Sequence, residues 1–456
     1  MNHYAFDLRK FIEHLTLKHE LHTIAAPVAL ELELAWITAR VSKAHGPALR
    51  FAAPQPVSLP LLTNLFGSPR RAAWALGMED DDLSPLLTRL TLLLQGGEGT
   101  AAQRLEFLCR GIEPTFASPC WQEVTGELAE LPFLKAWPGD GGSYLTLPLV
   151  VTRHPESGAL NWGIYRVQRH PDGALLIHWK EGSGASLHAR AWQKRGEAMP
   201  VAIVLGAPPA LLWAAAAPLP TMIDEAAFVG LLAGEALPLC RCTTLDLLVP
   251  AIAEAVLEGH VAPGDVGLEG PFGNHSGSYA PATLVPRLHL SALHRRRDCC
   301  CPATIVGPPP MEDCYLAALT PRLFLPLLRC DLPEVVDLAM PLQGIFHGCA
   351  LVAAVVDGNK AELLARLRAT DLLRRSRLLI LFGATVNVHD YAAAFWTALN
   401  AVDPARDLHL LPDGSLNIDA SRPPLRPLSP DPQIVAQVAA RAGEYGLPEI
   451  WFIDPK

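Results

Sequence analysis

Residues Tyr144 to His188 read YLTLPLVVTRHPESGALNWGIYRVQRHPDGALLIHWKEGSGASLH. Strand-length apolar runs alternate here with HPESG and HPDGA, whose proline, glycine and acidic residues favour chain reversal. LLIHWKE shows partial apolar–polar alternation, the period of a strand with one buried face. The same texture continues through VAIVLGA, LCRCTTLDLLVP and TLVPRLHLSALH. Short strands joined by turns predict an antiparallel sheet or small barrel over residues 116–320, interrupted by helices near 223–234 and 249–259.

The flanks read differently. Leu8, Phe11, Ile12 and Leu15 mark an amphipathic helix over about 6–19. ALELELAWITARVSKA (29–44) reads as a second helix with Glu31 and Glu33 near its start. LPLLTNLFGSPRRAAWAL (59–76) reads as a strand, a turn and a helix opening near Pro69. CPATIVGPPPMED (301–313) is a Pro- and Gly-rich boundary, beyond which helices and buried strands alternate. In that last part LLILFGATVNV (378–388) is apolar enough for a central strand. The expectation is a mixed α+β fold of three units: N-terminal α/β (1–115), a central sheet or barrel (116–320) and C-terminal α/β (321–456).

The 456-residue chain is 50% hydrophobic and 18% charged, enough apolar material for large cores and a composition that excludes wholesale disorder. A formal charge of -9 argues against a nucleic-acid binder, and the one basic run, HRRRD (294–298), reads as a solvated loop. The ten cysteines include no CxxC pair, and CRC (240–242) and CCC (299–301) would strain a tetrahedral zinc site. Free thiols in a reducing cytoplasm are expected instead. The N-terminus lacks a signal-peptide pattern. MPVAIVLGAPPALLWAAAAPLP (199–220) mimics a membrane span, but its five prolines divide it into strand, turn and helix.

Three clusters are candidates for chemistry. NWGIYRVQ (161–168) carries Asn161 and Arg166, which a regular strand would point to opposite faces unless Gly163 marks a bulge. A polar edge residue and a surface arginine would look the same. IHWKEGSG (177–184) runs a strand into a Gly-Ser-Gly turn whose amides suit an anion, although His178 alone reads more simply as structural. LEGPFGNHSGSY (268–279) places Glu269 in a Gly-Pro loop, where a carboxylate wants a cation and Arg166 is a candidate. Upstream of it, in PLPTMIDEAAFVG (218–230), Asp224 and Glu225 stand at a helix start, where capping is the plain explanation.

Taken in order, NWGIYR, the IHW turn, PLPTMIDEAAFVG, LDLLVPAIAEAVLEG (245–259) and EGPFGNHSG (269–277) resemble the UbiD family of reversible decarboxylases. NLFGSPRR (64–71) and NAVDPARDLHLL (400–411) resemble it too, so the similarity spans nearly the whole chain. The resemblance implies that the central unit is a split-barrel flavin-binding domain and the C-terminal unit mediates oligomerisation, as homodimer or homohexamer. It implies a prenylated FMN cofactor, delivered by a flavin prenyltransferase and held through a metal, with manganese and potassium as the usual ions. Asn161 and Glu225 are the implied metal ligands. Ile164, Tyr165, Arg166, His178, Trp179, Lys180, Ser183 and Gly184 would line the cofactor; some relatives carry a further histidine ligand where Gly184 stands.

Arg166 and Glu269 match the family's catalytic arginine and first acid. The second acid, its proton donor, falls on Asn274. An amide donates hydrogen bonds but cannot serve as a general acid. Glu269, held protonated by burial, and His275 are then the nearest substitutes. A second departure is Gly383-Ala384-Thr385, where relatives carry an acidic cluster. The implied reaction is non-oxidative decarboxylation of an aromatic or α,β-unsaturated acid, nearest to the polyprenyl-hydroxybenzoate step of ubiquinone synthesis. Two alternatives stand: another quinone-pathway or aromatic-degradation acid, or a catalytically impaired paralogue acting as a cofactor-binding or assembly partner. The implied location is cytoplasmic, with peripheral contact to the inner membrane.

Overall fold

The computed structural model describes residues 1–422 and 430–446. Its centre is a nine-stranded sheet curled as a half-barrel. Across it run Tyr144–Leu145, Val167–Arg169, Leu175–Ile177, Thr283–Arg295, Ala255–Glu269, Met199–Leu205, Leu149–Arg153 and Leu160–Ile164, with Val124–Thr125 on the end of Thr283–Arg295. Every pairing in it is antiparallel, as the closely spaced turn signals foretold. Met199–Leu205 is buried along its whole length, because side chains cover both of its faces. The apolar run that mimics a membrane span is therefore a central strand followed by the short helix Pro209–Ala216.

Glu225–Ala233 forms one of the two helices expected within the sheet region, capped by Asp224, whose carboxylate accepts from the Ala227 amide at 2.8 Å. The helix expected near 249–259 is absent. Leu248–Pro250 is a short strand, and Ala255 opens the long strand to Glu269. Ala, Glu and Leu favour helix in isolation. Here Ala255, Val256 and Leu257 are fully buried between Met199–Leu205 and Thr283–Arg295, and that pairing overrides propensity. Pro263 and Gly264 sit inside the long strand because its register shifts between Val261 and Val266, a bulge that absorbs them.

The N-terminal unit opens on the helix Leu8–Leu17, capped by Asp7. Its sheet runs Leu21–Ala29, Ala48–Gln55, Leu61–Thr63 and then Cys301–Pro302, so the chain returns to it after the half-barrel. The second helix starts at Glu33, and the third at Pro69 behind a Ser68 cap. The long helix Glu312–Asp331 crosses position 320 and leads to a five-stranded sheet in which Leu378–Gly383 is central, as expected. One apolar core threads all three units through Trp74, Trp162, Trp213, Phe228, Leu323 and Val352. All ten cysteines are free thiols, eight of them buried.

Candidate active site

The strand Leu160–Ile164 keeps regular register with Leu149–Arg153, so Gly163 is not a bulge. The strand instead stops at Ile164 and resumes at Val167, which frees Tyr165 and Arg166 to turn. Gly163 is needed because the Tyr165 ring folds back on it; a Cβ there would lie 2.3 Å from that ring. Glu269 closes the long strand, paired across to Thr283. Arg166 meets it as a two-pronged fork, Nε to Oε1 at 2.8 Å and Nη2 to Oε2 at 2.9 Å. His178 Nδ1 lies 3.0 Å from Glu269 Oε2 and 3.1 Å from Arg166 Nη2. The Phe272 ring stacks 4.3 Å from the guanidinium carbon.

Burial alone would raise the Glu269 pKa, but the hydrogen bonds from His178 and Arg166 outweigh it and hold the carboxyl at about 2. The expectation that burial keeps Glu269 protonated is therefore overturned: the Arg166 fork and the His178 hydrogen bond win over burial. The loop after it is pinned by residues that drew no notice in the sequence. Asp140 accepts from the Gly273 amide at 2.7 Å, Gln168 accepts from the Gly270 amide at 3.0 Å, and the Gly141 amide donates to the Pro271 carbonyl at 2.7 Å. A Cβ at Gly141 would sit 1.9 Å from the Gly270 carbonyl oxygen, so the loop rests directly on glycine backbone. Asn274 turns its side-chain oxygen onto the neighbouring His275 amide, 2.8 Å away.

The other end of the site gathers Asn161, Ser183, Gly184 and Glu225. Glu225 Oε2 accepts from the Trp162 amide at 3.2 Å, which sets the carboxylate beside Asn161. Burial, reinforced by the charge of Asp224, pushes the Glu225 pKa well above the ordinary carboxylate value. Among the described residues no cation pairs with Glu225, and Asn161 Nδ2 is buried without a protein partner. A Cβ at Gly184 would fall 1.8 Å from Asn161 Oδ1, so any side chain there would displace the amide. An amide and a carboxylate are oxygen donors suited to a hard cation. Among the described residues no group of three or more His, Cys, Asp or Glu is placed to hold a metal ion. Ser183 caps the helix Gly184–Arg195, a position that suits a phosphate.

Both ends open on one cavity of about 2060 Å³, large enough for a flavin-sized cofactor together with a substrate. Ten of the twelve residues anticipated from sequence line it. Trp179 does not: its side chain packs against the half-barrel core and edge-on to Tyr165. Nor does Glu269, whose side chain is wholly covered. The cavity also receives His275, Glu312, Asp313 and Phe346, none of which was assigned to a site except His275.

Three family models match the chain in order: the 3-octaprenyl-4-hydroxybenzoate carboxy-lyase N-terminal domain over residues 12–90, its Rift-related domain over 114–309 and its C-terminal domain over 314–429. An uncharacterized protein of Archaeoglobus fulgidus is 37% identical over 415 residues, 89% of this chain and 86% of that one. The vanillic acid decarboxylase of Sedimentibacter hydroxybenzoicus in closed form superposes with a TM-score of 0.84 at 24% identity, covering 96% of this chain and 98% of that one. An evolved dimeric form of the UbiD-class enzyme HmfF from Pelotomaculum thermopropionicum, in complex with prFMN, gives 0.79 at 22% identity, covering 94% and 98%. Members of the matched family are decarboxylases. The order of the sequence blocks, the half-barrel between two α/β units and the three matched domains agree, and the chain belongs to the UbiD family of carboxy-lyases.

Proposed function

We propose that the protein is a prenylated-FMN-dependent decarboxylase of an aromatic or α,β-unsaturated carboxylic acid. One observation carries the reading: Arg166, held in a fork by the covered Glu269, and an oxygen-donor end, Asn161 with Glu225, face one cavity of flavin-plus-substrate size. Asn161 and Glu225 would hold a divalent ion such as manganese against the cofactor phosphate, with potassium nearby. Ser183 and Gly184 would receive that phosphate on backbone amides; Ile164, Tyr165, Arg166, His178 and Lys180 would line the ring system. When bound, the cofactor supplies the electron sink for loss of CO2. The chain contributes the rest. Arg166, its charge oriented by Glu269 and His178, binds the substrate carboxylate.

Within this reading, a 3-polyprenyl-4-hydroxybenzoate-type acid on a ubiquinone route is the leading substrate, and another quinone-pathway or aromatic acid the alternative. No helix among the described residues is long and apolar enough to cross a membrane. We place the enzyme in the cytoplasm, touching the inner membrane when its acid carries a polyprenyl tail. Trp396 (68% exposed) and Leu399 (82%) on the Tyr391–Ala401 helix leave an apolar face on the C-terminal unit, which supports a homodimer or homohexamer.

Asn274 favours a second reading, a paralogue that binds cofactor without turnover. The test is CO2 release by protein co-produced with a flavin prenyltransferase and mixed with a panel of hydroxybenzoates and cinnamates. Release supports the enzyme; a flavin spectrum without release supports the paralogue. Asn274→Asp restores an ionisable group in the same loop and is expected to raise turnover by ~10-fold or more, since general acids contribute ~10²–10⁴-fold. Steady-state assays of the two proteins on the same acid check it.

A further inference from the structure

Decarboxylation leaves an electron pair on the carbon that has lost CO2, and that carbon must gain a proton. Asn274 has none to give, and Glu269 is ionised and sealed behind Arg166 and His178. The same cavity holds another acid. The helix Glu312–Asp331 begins at its wall, and Asp313 Oδ2 lies 3.2 Å from Nδ1 of His275, the residue next to Asn274. His275 packs edge-on against Phe346 at 4.6 Å, which fixes its ring from the C-terminal side.

Acids in the first turn of a helix commonly do no more than answer the helix dipole. These two differ from that pattern. Glu312 is 3% exposed, and only its Oε2 finds a partner, the Phe66 amide at 3.2 Å. Among the described residues its Oε1 is buried without a hydrogen-bond partner, as are Asp313 Oδ1 and Thr304 Oγ1, and all three residues line the cavity with His275. An unmatched buried polar atom destabilises the fold. Three such atoms converging on one space point to a task there.

We infer that the Asp313–His275 pair supplies the proton that Asn274 cannot, with Glu312 beside it as a second buried acid. This rests on the decarboxylase reading above. The Asp313 carboxyl gives its proton to His275 Nδ1 as the imidazole passes its other proton to the substrate carbon. The C–CO2 bond breaks, a C–H bond forms, and water reprotonates Asp313. The starting protonation states suit a concerted transfer. Burial, with the charge of Glu312, pushes Asp313 up to about 7, so a large fraction carries a proton at neutrality. Burial, with the charge of Arg166, pushes His275 down to about 4, so the ring is neutral at neutrality and the two transfers are concerted, with no free imidazolium formed.

The test uses holoprotein and the panel acid that wild type turns over fastest. First-turnover CO2 and protonated product are followed separately for wild type, Asp313→Asn, His275→Asn and the double variant Asp313→Asn/Asn274→Asp. Asp313→Asn is expected to keep its first-turnover CO2 while product formation slows by ~10²-fold or more, and the double variant to recover at least ~10-fold of that loss. A purely structural role for Asp313 would lower both signals together and would not be rescued from position 274. If Asp313→Asn does not fold, His275→Asn carries the same expected split. Equal product rates in wild type and the single variants overturn the relay while leaving the decarboxylase reading intact. No CO2 from wild type on any acid overturns that reading, and the relay with it.

Discussion

Glu269→Gln is expected to cut turnover by ~10²–10³-fold, the scale seen when one preorganised charge-stabilising group is removed from a dry site. The loss acts through Arg166. Glutamine keeps the shape of the side chain but offers the guanidinium one oxygen instead of a charged pair, so both prongs of the fork cannot persist. His178 loses the same carboxylate oxygen. Arg166 is then free to swing over the Phe272 ring, and the substrate carboxylate meets a cation of uncertain direction. Cofactor retention should fall less than turnover, because Arg166 and His178 would only line the ring system while, among the described residues, the phosphate end at Asn161, Ser183 and Glu225 makes no contact with Glu269. The variant also carries a stability signature. Glu269 sits at about 2 in the folded chain against an ordinary 4.5, so its ionisation stabilises the fold fully above 4.5, and that contribution fades as pH falls toward 2. Acid unfolding of Glu269→Gln, followed by circular dichroism, should lack this component.

Glu225→Gln is expected to move binding and stability in opposite directions. Removal of even an outer partner of a metal ligand costs ~10–100-fold in affinity, so loss of the ligand charge itself should weaken metal and flavin retention by at least ~100-fold. In the cofactor-free chain the same change removes a buried carboxylate that stands beside Asp224 with no cation partner. The cofactor-free variant should therefore melt higher than cofactor-free wild type, by about 2–4 °C for each kcal/mol regained. Differential scanning calorimetry and the flavin spectrum of the purified variant check the two signs. A side chain that only held the fold together would lower both.

Local order made part of this site legible. Asn161, Arg166, Glu225 and Glu269 each sit in a short block whose neighbours are distinctive, so the blocks could be read in sequence even where single residues were ambiguous. Pro69 and Ser68 announced a helix start, and the prolines of 199–220 divided strand from helix, because both act through backbone geometry that does not depend on the rest of the fold. What failed was decided at long range. Residues 255–259 carry helix-forming side chains, yet two neighbouring strands claim their backbone. The strand Leu21–Ala29 went unseen because it is mostly exposed and lacks alternation. Trp179 follows a cavity-lining histidine but points into the half-barrel core. Asp313 gave no signal at all: Met-Glu-Asp after a proline run reads as an ordinary helix start. Its meaning comes only from the fold, which brings that helix end against His275.

The central claim is that a flavin phosphate is clamped through a divalent ion between Asn161 and Glu225. Native mass spectrometry of the wild-type chain co-produced with a flavin prenyltransferase, before and after a chelator, tests it most directly. One prenylated flavin and one divalent ion per chain are expected, both released together by the chelator. A chain that stays free of flavin, or that keeps its flavin fully bound once the metal is gone, would contradict it.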